Sequence, residues 1–558
     1  MTYFDTQLDD KFDLSKTRIY TSGTQALVRL CLMQAQIDRE NGLDTGGYIS
    51  GYRGSPLGGL DLQFGRAKKH LTDAQVIFEA GLNEDIAATA IWGTQQAELR
   101  GDGKHDGVFA MWYGKGPGVD RSGDAIRHAN LAGTSKQGGV LLLMGDDHTC
   151  ESSTTAHQSE YALVDAMVPI LNPASVSEII EYGLHGWALS RFAGVWCGLK
   201  CVKDNVESSG SIDVDLNNFK TQIPTDFDMP TDGLNIRLND HPTVQEARLH
   251  QHKLDAVRAY ARTNQLDKTI YTGGKSPKIG IVSTGKSYMD VLQALDELGI
   301  DKARANRMGL ALYKVAMPWP LEPTGITEFA QGLDQIIVVE EKRGLIEDQL
   351  RTTLYGLDSP PNIIGKRSEI GTVLFQAELA LNSVQIAAAM GERLLTLKGG
   401  KSLANKVSDL KARLTEVRTG LPVTRGLVFC AGCPHNSSTI LPTGARGISG
   451  IGCHWMAQFM DRGVEGYTHM GAEGSNWIGE AKFSTCDHVF QNIGDGTYNH
   501  SGIMSVRAAV GSGVNMTYKI LYNDAVALTG GQVHDGGLDA YDIVAEVLAA
   551  GVTKLEYV

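Results

Sequence analysis

The chain of 558 residues has no long basic run, and its formal net charge is −13. A surface of that sign excludes nucleic acid or an anionic membrane as the main partner. The best apolar run, GVLLLM, falls far short of the ~20 residues that span a bilayer. The acidic start, MTYFDTQLDDKFDL, lacks the apolar stretch of a secretory signal. A soluble, cytoplasmic enzyme is the expectation. Cysteine is scarce, with eight residues, which excludes a disulfide scaffold in so long a chain. No repeat of about 20 to 50 residues is found, which excludes a solenoid. Glycine, by contrast, is abundant at 65 residues. Spread through apolar-rich sequence, those glycines imply tight turns and close backbone approach to a large ligand.

A chain of this length exceeds one hydrophobic core and predicts three or four domains of roughly 100 to 200 residues. Short apolar runs ending in Gly, Asp or Ser recur: GGYISGYRGS, GVFAMWYGKG, GGVLLLMGDD, PKIGIVSTG, DQIIVVEEKRG, HVFQNIGDG and MTYKILYNDA. Runs this short, bounded by breakers, are the pattern of parallel strands covered on both faces. After IVSTG, residues Tyr288, Val291, Leu292, Leu295 and Leu298 fall at helical spacing, which completes a βαβ unit. The polar stretch from Asp204 to Pro242 reads as an irregular connector. The expected organisation is α/β, in three serial blocks: 1–235, a helical connector 236–275, then 276–395, a basic helical linker 396–420, and 421–558.

The tripeptide Gly-Asp-Gly occurs twice, at 101–103 and at 494–496. Gly101 follows the helical-looking QQAELR and reads as a plain turn. Asp495 follows the strand-like HVFQNI, at the carboxyl end where open parallel sheets bind ligands. Magnesium takes one or two protein oxygens beside phosphate oxygens. Asn523, at the end of MTYKILY, supplies a second ligand, Ala525 a carbonyl, and TGGQ at 529–532 amides and a hydroxyl for an anion. Glu84, in AGLNEDIAATAIWG, opens an Ala-rich helix, where the plain reading is a dipole-favoured surface acid. The loop SGYRGSP carries Arg53 and Ser55: either a turn with a solvated cation, or a guanidinium fork and hydroxyl for a bound carboxylate. Asp146, Asp147 and His148 read as a hydrogen-bonded loop, and His128 and His157 as structural. Cys430 and Cys433, in CxxC spacing, with Cys453 in GIGCHW, would bind zinc with help from His454, form a redox dithiol, or hold part of an iron–sulfur cluster. Cys197 and Cys201, one helical turn apart, read as core, as do Cys31 and Cys150.

The string CAGCPHNSS…GIGCHWM…GDGTYNHSG…ILYNDAVALTGGQ resembles the indolepyruvate:ferredoxin oxidoreductases in their long, single-chain bacterial form, within the thiamine diphosphate-dependent 2-oxoacid:ferredoxin oxidoreductases. GYRGSPLGGLD, MWYGKGPGVDRSGDAIRHAN and GDDHTCESSTTAHQSE match the amino-terminal pattern, so the resemblance spans nearly the whole chain. It implies that the first and third blocks are pyrimidine-type and diphosphate-type thiamine domains flanking a transketolase-C-terminal-like domain. It implies Mg²⁺ on Asp495, Asn523 and the carbonyl of Ala525, with Gly494, Gly496, Thr529, Gly530 and Gln532 lining the diphosphate. Glu84 becomes the acid that activates the cofactor, and Arg53 and Ser55 contact the substrate. Cys430, Cys433 and Cys453 become ligands of a [4Fe-4S] cluster whose fourth ligand is unknown; Cys486 is the nearest remaining thiol. The implied reaction is oxidative decarboxylation of an aryl 2-oxoacid to acyl-coenzyme A with reduction of ferredoxin, by a homodimer. The long family continues beyond Val558 and the chain has no CxxCxxCxxxCP segment. A fragment or split-gene product completed by another domain or subunit is therefore expected. A non-redox thiamine diphosphate decarboxylase or carboligase, or a catalytically incomplete subunit, is the alternative.

Overall fold

The structure is a computed structural model that describes residues 7–397, 400–415, 426–533 and 535–558. Its chain divides into two compact units, one of Met1–Glu79 with Glu84–Arg418, the other of Ala80–Asn83 with Thr419–Val558. The strands of the larger unit are β1 (Arg18–Ser22), β2 (Thr45–Gly51), β3 (Val76–Phe78), β4 (Gly107–Lys115), β5 (Val140–Asp146), β6 (Ile170–Leu171), β7 (Trp196–Val202), β8 (Ser209–Asp213), β9 (Lys268–Thr272), β10 (Ile279–Thr284), β11 (Leu310–Val315), β12 (Gln335–Val339) and β13 (Asn362–Ile364).

Six of them form a parallel sheet in the order β3-β2-β4-β5-β7-β6. Every residue of β5 and β7 is buried, as helices on both faces require of a parallel sheet. Cys197 and Cys201 lie on β7 and are wholly buried. They are core residues as expected, but on a strand: a spacing of four puts both on one face of a strand as well as one face of a helix. The helix Gly23–Glu40 starts with a capping box between Ser22 and Gln25, and the helix Val176–Ala193 is capped by Ser175 and stopped by Gly194 at φ +65°. They pack closely because residue 183 is glycine: a Cβ there would lie 2.2 Å from Leu30 Cδ2.

The second sheet has the order β13-β12-β10-β11-β9 and is parallel except for β9, which joins its edge antiparallel. Helix Gly285–Glu297 follows β10 and buries Tyr288, Val291 and Leu295, the apolar stripe predicted from spacing. Part of the segment expected as a linker is structural. Helix Gly400–Thr415 buries Leu403, Val407 and Leu410 in the same core as Ile281, Leu298 and Met390, and Lys406 Nζ donates to the Glu297 carbonyl at 2.9 Å. Residues 398–399 and 416–420 of that segment lie outside the described residues.

The smaller unit carries β14 (Gly447–Ile448), β15 (Val489–Gly494) and β16 (Met516–Leu521), a parallel sheet in that order. Ile493, Tyr498, Val506, Ile543 and Val547 form its main core. Among the described residues, no helix is long and apolar enough to cross a membrane.

Candidate functional site

The pairing of Gly494 with Leu521 aligns the carboxyl ends of β15 and β16, so Asp495 and Asn523 emerge side by side. Asp495 is buried, and its carboxylate accepts three main-chain N–H groups: Gly496 on Oδ1 at 2.9 Å, and Asn523 at 2.9 Å and Asp524 at 2.7 Å on Oδ2. Asn523 Oδ1 accepts the Ala525 N–H at 3.2 Å. The next loop is closed by Val526 N donating to Gln532 O at 2.8 Å, by Thr529 Oγ1 bonding Gln532 Oε1 at 2.9 Å, and by Gln532 Nε2 donating to Thr529 O at 3.0 Å. Gly530, at φ +123°, makes the bend. Gly496 abuts this loop, where a Cβ would meet Val526 Cγ2 at 3.3 Å. Asp495, Gly496, Asn523, Ala525, Thr529, Gly530 and Gln532 are therefore gathered at one edge of one sheet. The other tripeptide is an exposed turn, with Gly101 at φ +80°.

The loop after β14 completes this edge. Thr497 Oγ1 donates to Ile451 O at 2.9 Å, and the wholly buried Glu473 accepts from Ile451 N at 3.2 Å and Gly471 N at 2.8 Å. Asn499 Nδ2 donates to Asp495 O at 3.1 Å, yet its buried Oδ1 has no partner, and neither do His435 Nδ1, His454 Nε2 or Asn492 Oδ1. Buried polar atoms are rarely left unpaired, and a group of them marks room for water, an ion or a ligand. Burial and the neighbouring His435 push His454 down to about 3. Oxygen-only donors in Asp495, Asn523 and main-chain carbonyls suit a hard divalent cation, and turn N–H groups suit an anion. The residues fit a diphosphate held through Mg²⁺. Sequence reasoning missed His435, Glu473 and Asn499, for which only the proximity of CPHNSS and GTYNHSG to the GDG turn gave a signal.

The cysteines fit their expected group less well. Among the described residues, no three His, Cys, Asp or Glu side chains stand placed to hold a metal ion. Cys433 and Cys453 pack against Phe429, Ala457 and Val464, Cys430 is exposed, and Cys486 belongs to a different cluster with Ile448, Trp477 and Val489. This arrangement does not supply the four thiolates of a [4Fe-4S] cluster.

In the larger unit, the functional candidates lie at the carboxyl edge of the six-stranded sheet. Glu84 is buried at the start of helix Glu84–Thr94, with its carbonyl accepting from Trp112 Nε1 at 2.9 Å. Its carboxylate lies against Gly118, where a Cβ would come within 2.7 Å of Oε1. Arg53 is buried in an ion pair, Nε to Asp61 Oδ2 at 2.9 Å, and Ser55 is half-buried beside it. Asp146 is wholly buried and accepts Ser159 Oγ at 2.6 Å and Ser159 N at 2.9 Å. Asp147 accepts the N–H groups of Glu151 and Ser152, so this stretch is the hydrogen-bonded loop expected. His148 is buried, and burial drives its pKa well down. His157 bridges Asp120 Oδ2 at 2.8 Å and Asp146 Oδ1 at 3.7 Å. His128 is exposed, near Asp124. Lys115, at the end of β4, lies within the motif MWYGKGPGVDRSGDAIRHAN but is given no role by it; its own sequence signal is a cation closing the apolar run GVFAMWYGK.

Fold and site define an α/β protein of largely parallel sheets with an acidic, glycine-bounded turn at a sheet edge. A family profile described as an indolepyruvate oxidoreductase domain matches residues 269–419. The indolepyruvate oxidoreductase subunit IorA of Methanothermobacter marburgensis is 24% identical over 553 residues, which cover 95% of this chain and 79% of that protein. The corresponding subunit of Thermococcus kodakarensis is 24% identical over 524 residues, 88% of this chain and 73% of its own. A solved 2-oxoglutarate:ferredoxin oxidoreductase from Magnetococcus marinus aligns with a TM-score of 0.49 at 14% identity, covering 68% of this chain and 66% of that one. Residues 269–419 thus match the profile of an indolepyruvate oxidoreductase domain, and most of the chain is similar to indolepyruvate oxidoreductase subunits.

Proposed function

We propose that the protein oxidatively decarboxylates an aryl 2-oxoacid of the indolepyruvate type, using thiamine diphosphate and Mg²⁺, with coenzyme A as acyl acceptor and ferredoxin as electron acceptor. The observation that carries this reading is the gathering of Asp495, Asn523 and Ala525 with the Thr529–Gln532 loop at one sheet edge. Thiamine diphosphate, when bound, supplies the electron sink for decarboxylation. Asp495, Asn523 and the Ala525 carbonyl hold Mg²⁺, and Gly494, Gly496, Thr529, Gly530 and Gln532 line the diphosphate. Three main-chain N–H groups fix the Asp495 carboxylate in one orientation, so little reorganisation is needed to bind the cation. Glu84, buried against Gly118, is the residue that holds a proton for the cofactor's pyrimidine. The Arg53–Ser55 loop faces the substrate. We assign the protein to the cytoplasm and to a homodimeric state.

The test is calorimetry of Mg²⁺-dependent thiamine diphosphate binding, followed by anaerobic, coenzyme A-dependent reduction of a one-electron dye with indolepyruvate. Asp495→Ala is expected to abolish the binding; retained binding would sink the site assignment. The separation of Cys486 from the other three thiols favours, as a second reading, a non-redox decarboxylase. Cofactor binding with aldehyde release and neither dye reduction nor acid-labile sulfide would establish that reading instead.

A further inference from the structure

We propose that Lys115 anchors the carboxylate of the substrate, an inference that rests on the 2-oxoacid reading above. The arginine that the motif SGYRGSP offers for this task is already engaged. Arg53 and Asp61 pair at 2.9 Å with side chains only 4% and 9% exposed, and drawing the guanidinium away would strand a buried carboxylate. The same sheet edge carries a second cation. Lys115 closes β4, between the ends of β2 and β5 in the strand order, and its stem lies against the substrate loop. A Cβ on Gly54 would sit 2.8 Å from Lys115 Cβ and 3.0 Å from its Cδ.

The surroundings of this ammonium are unusual. Among the described residues, its hydrogen bond goes to a neutral acceptor, the Ser152 carbonyl, at 2.5 Å, and it forms no ion pair. Lys200, two strands away and buried on the same edge, is by contrast held by both Glu160 and Asp146. Burial is the main influence on Lys115 and lowers its pKa; Asp147, Cys150 and Glu84 oppose it from a distance. A partly desolvated ammonium with no carboxylate in direct contact is complementary to a monoanion. The carboxylate of a 2-oxoacid is such a group, and seating it here brings the substrate into the electrostatic neighbourhood of Glu84. Lysine also suits the role sterically, because a single compact charge grips one end of a carboxylate without a planar fork.

The experiment uses the full chain with Mg²⁺ and thiamine diphosphate. Three quantities are measured for wild type, Lys115→Gln and Lys115→Arg: cofactor affinity, KM for indolepyruvate, and calorimetric affinity for 3-phenylpropionate and for its uncharged amide. Gln keeps a donor for the Ser152 carbonyl, so the loop remains tethered. Lys115→Gln is expected to weaken phenylpropionate binding and raise KM by about tenfold to a hundredfold, leaving amide binding and cofactor affinity unchanged; Lys115→Arg stays close to wild type. Wild-type acid binding in Lys115→Gln overturns the assignment of Lys115 while the proposed reaction stands. Failure of the wild-type protein to bind Mg²⁺-thiamine diphosphate overturns that reaction, and this inference with it.

Discussion

His157 shows how one side chain holds a functional loop in place. It reaches from the 146–159 loop to Asp120 on the helix Gly116–Arg121, whose Gly118 accommodates Glu84. Burial alone would lower its pKa, but the hydrogen bond to Asp120 and the neighbouring Asp146 carboxylate outweigh it and His157 is pushed up to about 9. A raised folded-state value means that the charged imidazole stabilises the fold. That contribution is complete below the ordinary value of about 6.5 and is lost as pH rises through about 9. Urea midpoints of wild type and His157→Gln should therefore differ most at pH 6 and converge by about pH 10. A difference that persists unchanged across this range would remove the charged His157 from the stabilising set. The residue scale is also where the sequence was least legible. Asp495 stood out because its turn follows a strand and Asn523 follows the next one. The Arg53–Asp61 pair and the half-buried Lys115 did not, because both depend on burial, and an apolar run ending in lysine looks the same whether that lysine is wet or dry.

At the scale of elements, breakers made most strands readable, since Gly, Asp or Ser closes each apolar run at the sheet edge where ligands bind. Ambiguity arose where two periods share a spacing, as with Cys197 and Cys201, and where charge masks a narrow apolar stripe. Helix Gly400–Thr415 is the second case. Its three lysines and one arginine give it the look of a solvated linker, yet Leu403, Val407 and Leu410, spaced four and three apart, form one face and are at most 3% exposed. Because Leu403 is fully enclosed with Val407 and Met390 in the second sheet's core, Leu403→Ala should leave a cavity and lower stability by about 2–5 kcal/mol. Chemical denaturation followed by circular dichroism measures this. A loss below about 0.5 kcal/mol, the scale of a surface change, would return the helix to the status of a linker.

For the whole molecule, the proposed function raises the question of how a chain of net charge −13 would hold an anionic cofactor and an anionic substrate. Long-range attraction would favour neither, so local groups would have to supply it: in the proposed site, a cation and turn N–H groups for the diphosphate and a half-buried ammonium for the carboxylate. Binding then depends on geometry that exists only in the folded protein, and it must stabilise the unit that carries that geometry. The smaller unit's sheet has three strands, and β16 is mostly half-exposed, so ligand linkage should weigh heavily there. At a hundredfold excess over Kd, Mg²⁺-thiamine diphosphate contributes about 2.7 kcal/mol. Hydrogen exchange should accordingly slow along β15, β16 and the 523–532 loop when cofactor and Mg²⁺ are added together, and not when either is added alone. Asp495→Ala should erase the effect. Slowing without Mg²⁺, or slowing that survives Asp495→Ala, would mean that the anion is held by other groups and that the carboxylate at the end of β15 serves only to tie the two strand ends together.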